Sequence, residues 1–369
     1  MISQLPLLDQ GMLARARRPA FGDASLIAPW RRPEDEARLI DRSAHGLAAL
    51  ARALAERLGR SPRVALPGWI GSQALEPLRH SGAGLTYLPV SAKTGQIDWE
   101  VADRCGPFDI LVVVHTFGQP VDLEPARALC ARHECLLVEQ CDHVLAPAAG
   151  LGDAGEVALF SPHLLFPLPE GAVISLTGAA RDWADDLDRA LGRPPLAEDD
   201  RVWLKRRLFH DAVPDSLRRF VPQSGPSRFE ADPPLSDPPA PISPTDLARR
   251  LLAAVDLAEE ARRRRDNAEA LAKVVARLKD VRLLFPHATA VPYRLALRAD
   301  SAQVAAARFA ALREAHLPVE SWPDLPPRVV ADPNHAAGAI ALRNTVLLLP
   351  VHGSLLTDEL ARAYRRVLK

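Results

Sequence analysis

Lysine is the scarcest charged residue in this sequence. The chain has 369 residues, and of its 46 basic residues all but five are arginines. The five lysines are Lys93, Lys205, Lys273, Lys279 and Lys369, so none lies between residues 94 and 204. Chemistry that needs a side-chain amine, such as formation of a Schiff base, is therefore excluded from that stretch.

The chain also lacks an excess of charge and a long apolar run. Its 46 basic residues equal its 46 acidic residues, whereas binding to nucleic acid needs net positive charge. No apolar run approaches the roughly 18 residues of a membrane span. The first residues, "MISQLPLLDQ", have neither the basic start nor the apolar stretch of a signal peptide. We expect a cytoplasmic protein with reduced thiols, and neither nucleic acid nor a membrane as partner.

Cysteine is scarce as well. His133 and His143 lie near some of the cysteines, but the spacing matches no standard C-x-x-C pairing of a metal site. Cys130 falls in a helical pattern and Cys135 opens a strand, so we expect their side chains to point in different directions. The sequence predicts no metal site and four buried structural thiols, at Cys105, Cys130, Cys135 and Cys141.

Helical and strand patterns alternate along the chain. "HGLAALARALAERLG" (45–59) has helical spacing, while "FDILVVVHTFGQP" and "CLLVEQCDHV" predict strands buried on both faces. Such strands are typical of an α/β fold with a mostly parallel sheet between helices. Composition then predicts a large domain (1–210), a Pro-rich linker or excursion (211–245), and a long helix with a smaller C-terminal α/β domain (246–369).

Three predicted strands end in "HTFGQP", "EQCDHV" and "FSPHLL", and ligands of open α/β sheets bind beyond such ends. With "TGQIDWE" before them and "NTVLLLPVHGSLLTDELARAYRRVL" after them, these segments resemble the DegT/DnrJ/StrS family of sugar aminotransferases. The resemblance runs from about residue 40 to the C-terminus and keeps the order of the motifs. It implies the pyridoxal-phosphate transferase fold of the aspartate aminotransferases (fold type I), with a seven-stranded type of sheet in the large domain.

The residues that hold the cofactor in that family are replaced in this chain. The family's lysine lies two residues after a proline in S-P-x-K, whereas Ser161 and Pro162 are followed by His163 and Leu164. Leu164 cannot form a Schiff base. The acid that pairs with the pyridinium nitrogen follows a glutamate, and here that position is Gln140, which carries no charge.

The remaining cofactor contacts are also altered. The phosphate-binding G-T-A of the family corresponds to Gly46-Leu47-Ala48, which has no hydroxyl. The position of the stacking aromatic is Gly71, with Trp69 nearby, while His143 is retained. We regard Gly46, Leu47, Ala48, Gln140, His143 and Ser161 as the positions of a degenerate cofactor site.

These losses predict a pseudoenzyme without transaminase activity and without a cofactor. By the resemblance it would be a homodimer in sugar-nucleotide or surface-polysaccharide synthesis, binding a sugar nucleotide or an active aminotransferase paralogue. The alternative is a sugar-modifying enzyme that uses pyridoxal or pyridoxamine phosphate. It would be either an ordinary aminotransferase or a lysine-independent dehydratase, with His163 as the candidate base. No catalytic residue is assigned.

Some further residues are candidates for the same cleft. Asp142 could replace the missing acid, because alternation along a strand puts it on the same face as Gln140. His163 has a simpler interpretation as a loop histidine that is bonded to the backbone. The other candidates are His115, Trp322 and His352, which would line a pocket or only pack, and Lys205, the one lysine that could enter from outside.

Overall fold

The structure is a computed structural model that describes residues 2–18, 22–195, 200–212, 240–286, 290–321 and 325–369. Most of the predicted Pro-rich segment 211–245 lies outside these residues, and so does Trp322. The division of the chain at residues 210 and 246 therefore stays a prediction.

The large sheet has seven strands in the order β1-β7-β6-β5-β4-β2-β3. Only β7 runs antiparallel to its neighbours β1 and β6, while the other pairings are parallel. The predicted mostly parallel sheet is thus confirmed. The strands are β1 (Glu36–Ile40), β2 (Arg63–Pro67), β3 (Gly84–Leu88), β4 (Ile110–Val114), β5 (Leu136–Cys141), β6 (Val157–Phe160) and β7 (Ala172–Leu176).

Helices cover both faces of this sheet, as the apolar strands require. The strand β4 reads "ILVVV" and is buried over nearly its whole length, because helices exclude water from both of its faces. The helices of this region are α1 (Gln10–Arg15), α2 (Asp23–Ile27), α3 (Ser43–Leu58), α4 (Glu76–His80), α5 (Trp99–Ala102), α6 (Glu124–His133), α7 (Pro162–Leu165), α8 (Ala184–Leu191) and α9 (Asp200–Ala212).

The C-terminal part forms a second, antiparallel sheet in the order β10-β11-β9-β8. Its strands are β8 (Val281–Leu283), β9 (Arg294–Ala299), β10 (Glu320–Ser321) and β11 (Val346–Pro350). Its helices are α10 (Asp246–Ala253), α11 (Leu257–Val275), α12 (Ala302–Glu314), α13 (Pro327–Ala331), α14 (Ala337–Thr345) and α15 (Thr357–Val367). The long helix α11 packs on α15 and contributes Leu271 and Val274 to the core of this sheet.

An apolar cluster joins the two sheets. Trp69 and Phe117, which follow β2 and β4 of the large sheet, pack with Ala296 and Leu348 of the small sheet and with Leu342 of α14. The start of β9 is thereby held against the carboxyl ends of the large-sheet strands. Among the described residues, no helix has both the length and the apolar character that crossing a membrane requires.

Candidate functional site

The carboxyl ends of β4, β5 and β6 lie side by side at one edge of the large sheet, because these strands are parallel neighbours. His115 follows β4, Asp142 and His143 follow β5, and Ser161 follows β6. The helix α3 begins beside them at Ser43. This is the edge at which open α/β sheets bind their ligands, so the predicted site residues do come together here.

A small hydrogen-bonded cluster stands at this edge. Asp142 Oδ1 accepts a hydrogen bond from Ser161 Oγ at 2.5 Å, and its Oδ2 accepts one from Gln140 Nε2 at 2.5 Å. Gln140 Nε2 also lies 3.4 Å from Ser43 Oγ. Burial raises the pKa of the Asp142 carboxyl, although the hydrogen bonds from Ser161, Ser43 and Gln140 oppose this shift. The site therefore has an acid next to Gln140, and burial opposes the ionisation of that acid.

Glu139 points to the opposite face of β5 and belongs to the frame of the site. Its carboxylate accepts hydrogen bonds from His115 Nε2 at 2.8 Å and from the backbone amides of Gly152, Ala154 and Gly155. Burial alone would raise the pKa of Glu139, but these donors outweigh it and lower the pKa to about 2. His115 is thus a buried partner of Glu139. Cys141 Sγ lies close to both, yet each carboxylate oxygen already has two donors, so we assign no metal to this group.

The ring of His143 is stacked between neighbours from both sheets. Its centroid lies 4.3 Å from that of Tyr293 with an interplanar angle of 15°, and 5.6 Å from that of Phe117. Trp69 meets Phe117 edge to face at 5.8 Å, and the Arg294 guanidinium lies 4.3 Å above the Tyr293 ring. Burial, assisted by the charge of Arg294, lowers the pKa of His143 to about 3. Its imidazole is therefore neutral and already in aromatic contact.

One buried arginine, Arg264, ties the loop after β6 to the residue before β9, and a second, Arg294, is paired within the small sheet. Arg264 donates from Nη2 to the Leu165 carbonyl at 2.9 Å and from Nη1 to the Tyr293 carbonyl at 3.0 Å. Arg294 donates from Nε to Glu320 Oε2 at 3.0 Å. Tyr293, Arg294 and Arg264 were not predicted from the sequence. The sequence signals for them were weak: Arg264 lies within a helical pattern, and Tyr293 and Arg294 stand at the start of a predicted strand.

The loop after β6 has no reactive group where the resemblance places the lysine. Leu165 and Phe166 are buried in the core below the loop, whereas Leu164 is half-buried. His163 Nδ1 donates a hydrogen bond to the Gly171 carbonyl at 3.0 Å. Burial, and then the nearby Arg42, lower the pKa of His163 to about 3. This geometry favours the backbone-bonded interpretation of His163 over the role of a general base.

None of the five lysines supplies the missing amine. The structure describes all of them, and each one is exposed to solvent. Lys205 lies on an exposed position of α9, and Lys273 is paired with Glu269 on the surface of α11. The position of Lys205 gives no support to its entry into the cleft.

The predicted phosphate-binding residues need a correction. Helix α3 begins at Ser43, so Gly46, Leu47 and Ala48 are its fourth to sixth residues and do not form its start. They face the core, and a Cβ added to Gly46 would lie 2.7 Å from Ile40 Cδ1. The three residues therefore lie in the helix interior, because a run of small residues fits a helix interior as well as a helix start.

A carboxylate already stands beside the true start of α3. Asp41 accepts hydrogen bonds from the Arg42 amide at 2.8 Å, from His45 Nδ1 at 2.8 Å and from the Ile242 amide at 3.1 Å. The amino end of a helix attracts negative charge. Asp41 satisfies that attraction and would repel a phosphate group that approached the same helix end.

His352 does not belong to the cluster around Asp142. It is fully buried, and its Nε2 lies 3.0 Å from the Ser3 carbonyl. Burial lowers its pKa well below the usual value. Of the two roles considered for His352, the structure favours packing.

The residues present do not fit pyridoxal phosphate. No amine is available at Leu164, the ring of His143 is already stacked on Tyr293 and Phe117, and a carboxylate occupies the region beside the start of α3. The retained His143 would otherwise be the natural partner of a pyridine ring. We therefore derive no chemical step through this cofactor.

The fold is that of the pyridoxal-phosphate-dependent sugar aminotransferases. The chain is similar to the aminotransferase TlmJ from Streptoalloteichus hindustanus, with 22% identity over 100% of this chain and 99% of that one and a TM-score of 0.70. PseC from Helicobacter pylori, an aminotransferase involved in pseudoaminic acid biosynthesis, has 13% identity, the same coverage and a TM-score of 0.71.

A third solved structure is the putative sugar aminotransferase Spr1654 from Streptococcus pneumoniae in its PMP form. It has 14% identity over 100% of this chain and 98% of that one, with a TM-score of 0.74. No protein-family model and no curated protein matches the chain. At these identities the similarity shows the fold alone.

Proposed function

We propose that this protein is an aminotransferase-like pseudoenzyme that lacks transaminase activity and acts through binding. The observation that carries the proposal is Leu164, which takes the place of a reactive lysine while all five lysines are exposed elsewhere. Transamination needs an amine that can form a Schiff base and move protons. The altered surroundings of His143 and Asp41 support the same conclusion, because both are already engaged by other residues of the chain.

We further propose that its role lies in sugar-nucleotide or surface-polysaccharide synthesis, in the cytoplasm. Several solved structures with this fold are described as sugar aminotransferases, which supports a sugar nucleotide as the ligand class. The protein would work as a homodimer or beside an active aminotransferase paralogue.

The alternative is a lysine-independent sugar dehydratase in which His163 is the base. A general base needs a pKa near the working pH, whereas the pKa of His163 is lowered to about 3. Its Nδ1 is also engaged by the Gly171 carbonyl. Both observations favour the binding role over the dehydratase.

Two measurements on the full-length protein test the proposal separately. The first is an absorbance scan with added pyridoxal phosphate, followed by borohydride reduction and peptide mass mapping. We expect no stoichiometric adduct, and a stoichiometric adduct with sugar-dependent transaminase turnover would refute the loss of activity. The second is calorimetric titration with UDP-N-acetylglucosamine and dTDP-glucose, with glucose alone as the control. Absence of heat for both nucleotides would reject the ligand class without restoring the transaminase interpretation.

A further inference from the structure

Cys130 and Cys135 form a close pair that was not predicted from the sequence. Their sulfur atoms lie 3.1 Å apart, and both side chains are buried. The expectation that they point in different directions was therefore wrong. The pair is remote from the cluster around Asp142, at the other end of β5, so its chemistry is independent of the proposed function.

The way helix α6 ends brings the two sulfurs together. Glu134 follows the helix in the left-handed conformation with φ of 53°. This turn lets the Cys135 amide donate a hydrogen bond back to the Cys130 carbonyl at 3.1 Å. A helix end of this Schellman type places the residue after the turn in side-chain contact with a residue of the last helical turn. In this chain both of those residues are cysteines.

The pKa values of the two thiols are shifted in opposite directions. The hydrogen bond with Cys130 holds the pKa of the Cys135 thiol below its usual value, although burial opposes the shift. The same hydrogen bond, together with burial, raises the pKa of Cys130. Because the thiolate is the nucleophile, we assign the attack to Cys135 and the resolving step to Cys130, and the variant Cys130→Ser tests that assignment. Burial raises the pKa of both other cysteines, Cys105 and Cys141.

Access and geometry favour oxidation of this pair. The turn that covers it contains the exposed residues Ala131, Arg132 and Glu134, so the pair lies directly beneath the surface. A disulfide needs a sulfur–sulfur distance of about 2.05 Å. The sulfurs therefore have to approach by roughly 1 Å, which side-chain rotation with a small shift of this surface turn can supply.

We propose that Cys130 and Cys135 are an oxidation site that forms a reversible disulfide on reaction with a hydroperoxide. The Cys135 thiolate attacks one peroxide oxygen, the O–O bond breaks, and protonation of the leaving oxygen gives water and a sulfenic acid on Cys135 when the oxidant is hydrogen peroxide. The Cys130 sulfur then attacks the Cys135 sulfur, the S–O bond breaks, and a second water leaves. Two thiols are oxidised and one peroxide is reduced; an added dithiol then reduces the disulfide back to the two thiols and becomes a disulfide itself.

The test uses the reduced full-length protein and hydrogen peroxide. After treatment, free thiols are blocked with N-ethylmaleimide, and the protein is digested with trypsin, which cleaves after Arg132 and separates the two cysteines. We expect one disulfide-linked peptide pair, identified as Cys130–Cys135 by fragmentation, and its loss on treatment with dithiothreitol. Oxidation of Cys105 before this pair, or no linked pair, would overturn the proposal.

Two matched variants separate geometry from general thiol reactivity. Cys105→Ser is expected to leave the linked pair unchanged. Cys130→Ser is expected to abolish it and to leave a sulfenic acid on Cys135 that dimedone traps. If Cys130→Ser instead leaves Cys135 unreactive towards both peroxide and dimedone, Cys135 is not the attacking thiol and the mechanism fails. The wild-type measurement needs no variant, so a folding defect in either one does not remove the test.

Discussion

Gln140 and Asp142 lie on the same face of the β5 end and share a hydrogen bond, from Gln140 Nε2 to Asp142 Oδ2 at 2.5 Å. Glu139, the residue before Gln140, lies on the opposite face and is held ionised by His115 and three backbone amides. The strand thus presents one stabilised carboxylate to the frame and one carboxyl of raised pKa to the cleft. Burial therefore opposes ionisation of Asp142, whereas its surroundings favour ionisation of Glu139.

Restoring the amine alone should not restore the cofactor site. We expect that Leu164→Lys gives no visible Schiff-base band with added pyridoxal phosphate, because His143 stays stacked on Tyr293 and Asp41 stays beside the start of α3. The measurement is an absorbance titration followed by borohydride reduction and mass mapping of the loop after β6. Leu164→Met, of similar size and without an amine, is the matched control. A stoichiometric adduct at the introduced amine would show that the site still accepts the cofactor.

His163 should make stability depend on pH in a defined direction. Its pKa in the folded chain is about 3, below the usual 6.5. The unfolded chain therefore binds a proton first, and folding stability is lost as the pH falls from above 6.5 towards 3. His163→Asn can keep a donor to the Gly171 carbonyl but cannot titrate. We expect its unfolding midpoint in urea to change less between pH 7 and pH 5 than that of the wild type. An equal change in the unfolding midpoint of the two proteins between pH 7 and pH 5 would contradict the neutral state of His163.

The sequence was sufficient for the sheet and for the positions of the strand ends, because apolar runs and their polar ends are local signals. Leu164 and Gln140 were assigned to the lysine and acid positions from their spacing to nearby motif residues, and that assignment stays a prediction. The predicted helix began at His45, two residues after the observed start of α3 at Ser43, because the residues at both positions fit a helical pattern. The stack of His143 on Tyr293 joins residues 150 positions apart, and the Cys130–Cys135 contact depends on the left-handed turn at Glu134. Neither contact can be predicted from the local composition of the sequence.

Glu139 is expected to be important for stability. In Glu139→Gln, an amide donor replaces one of the two carboxylate oxygens. Each of these oxygens accepts two hydrogen bonds, so at least one donor is left without an acceptor. A buried unsatisfied donor costs about 1–3 kcal/mol, so we expect a loss of that size in the free energy of unfolding at pH 7. The pKa of about 2 means that the stabilisation by Glu139 is present above the usual glutamate pKa and is lost as the pH falls towards 2.

Urea unfolding of wild type and Glu139→Gln at pH 7 and pH 4 tests this dependence. The difference between the two proteins should shrink at the lower pH, because the wild type begins to lose the contribution of its ionised carboxylate. Glu124→Gln, an exposed glutamate on α6, is the control and should change stability by no more than about 0.5 kcal/mol. If Glu139→Gln were as stable as the wild type at both pH values, the hydrogen bonds accepted by Glu139 would not contribute to the stability of the fold.

Tyr293 is expected to hold the two sheets together at the site. Its ring contacts His143 on one sheet and lies under Arg294 of the other, and its backbone amide donates to the Phe117 carbonyl at 3.0 Å. Tyr293→Ala removes the ring and should cost about 2–4 kcal/mol in the free energy of unfolding, in the range of large-to-small core substitutions. Tyr293→Phe keeps the ring and should cost less than about 1 kcal/mol, since the stacking is retained. Chemical denaturation of the three proteins measures both values. If Tyr293→Phe were as destabilised as Tyr293→Ala, the hydroxyl rather than the stacked ring would carry the contact.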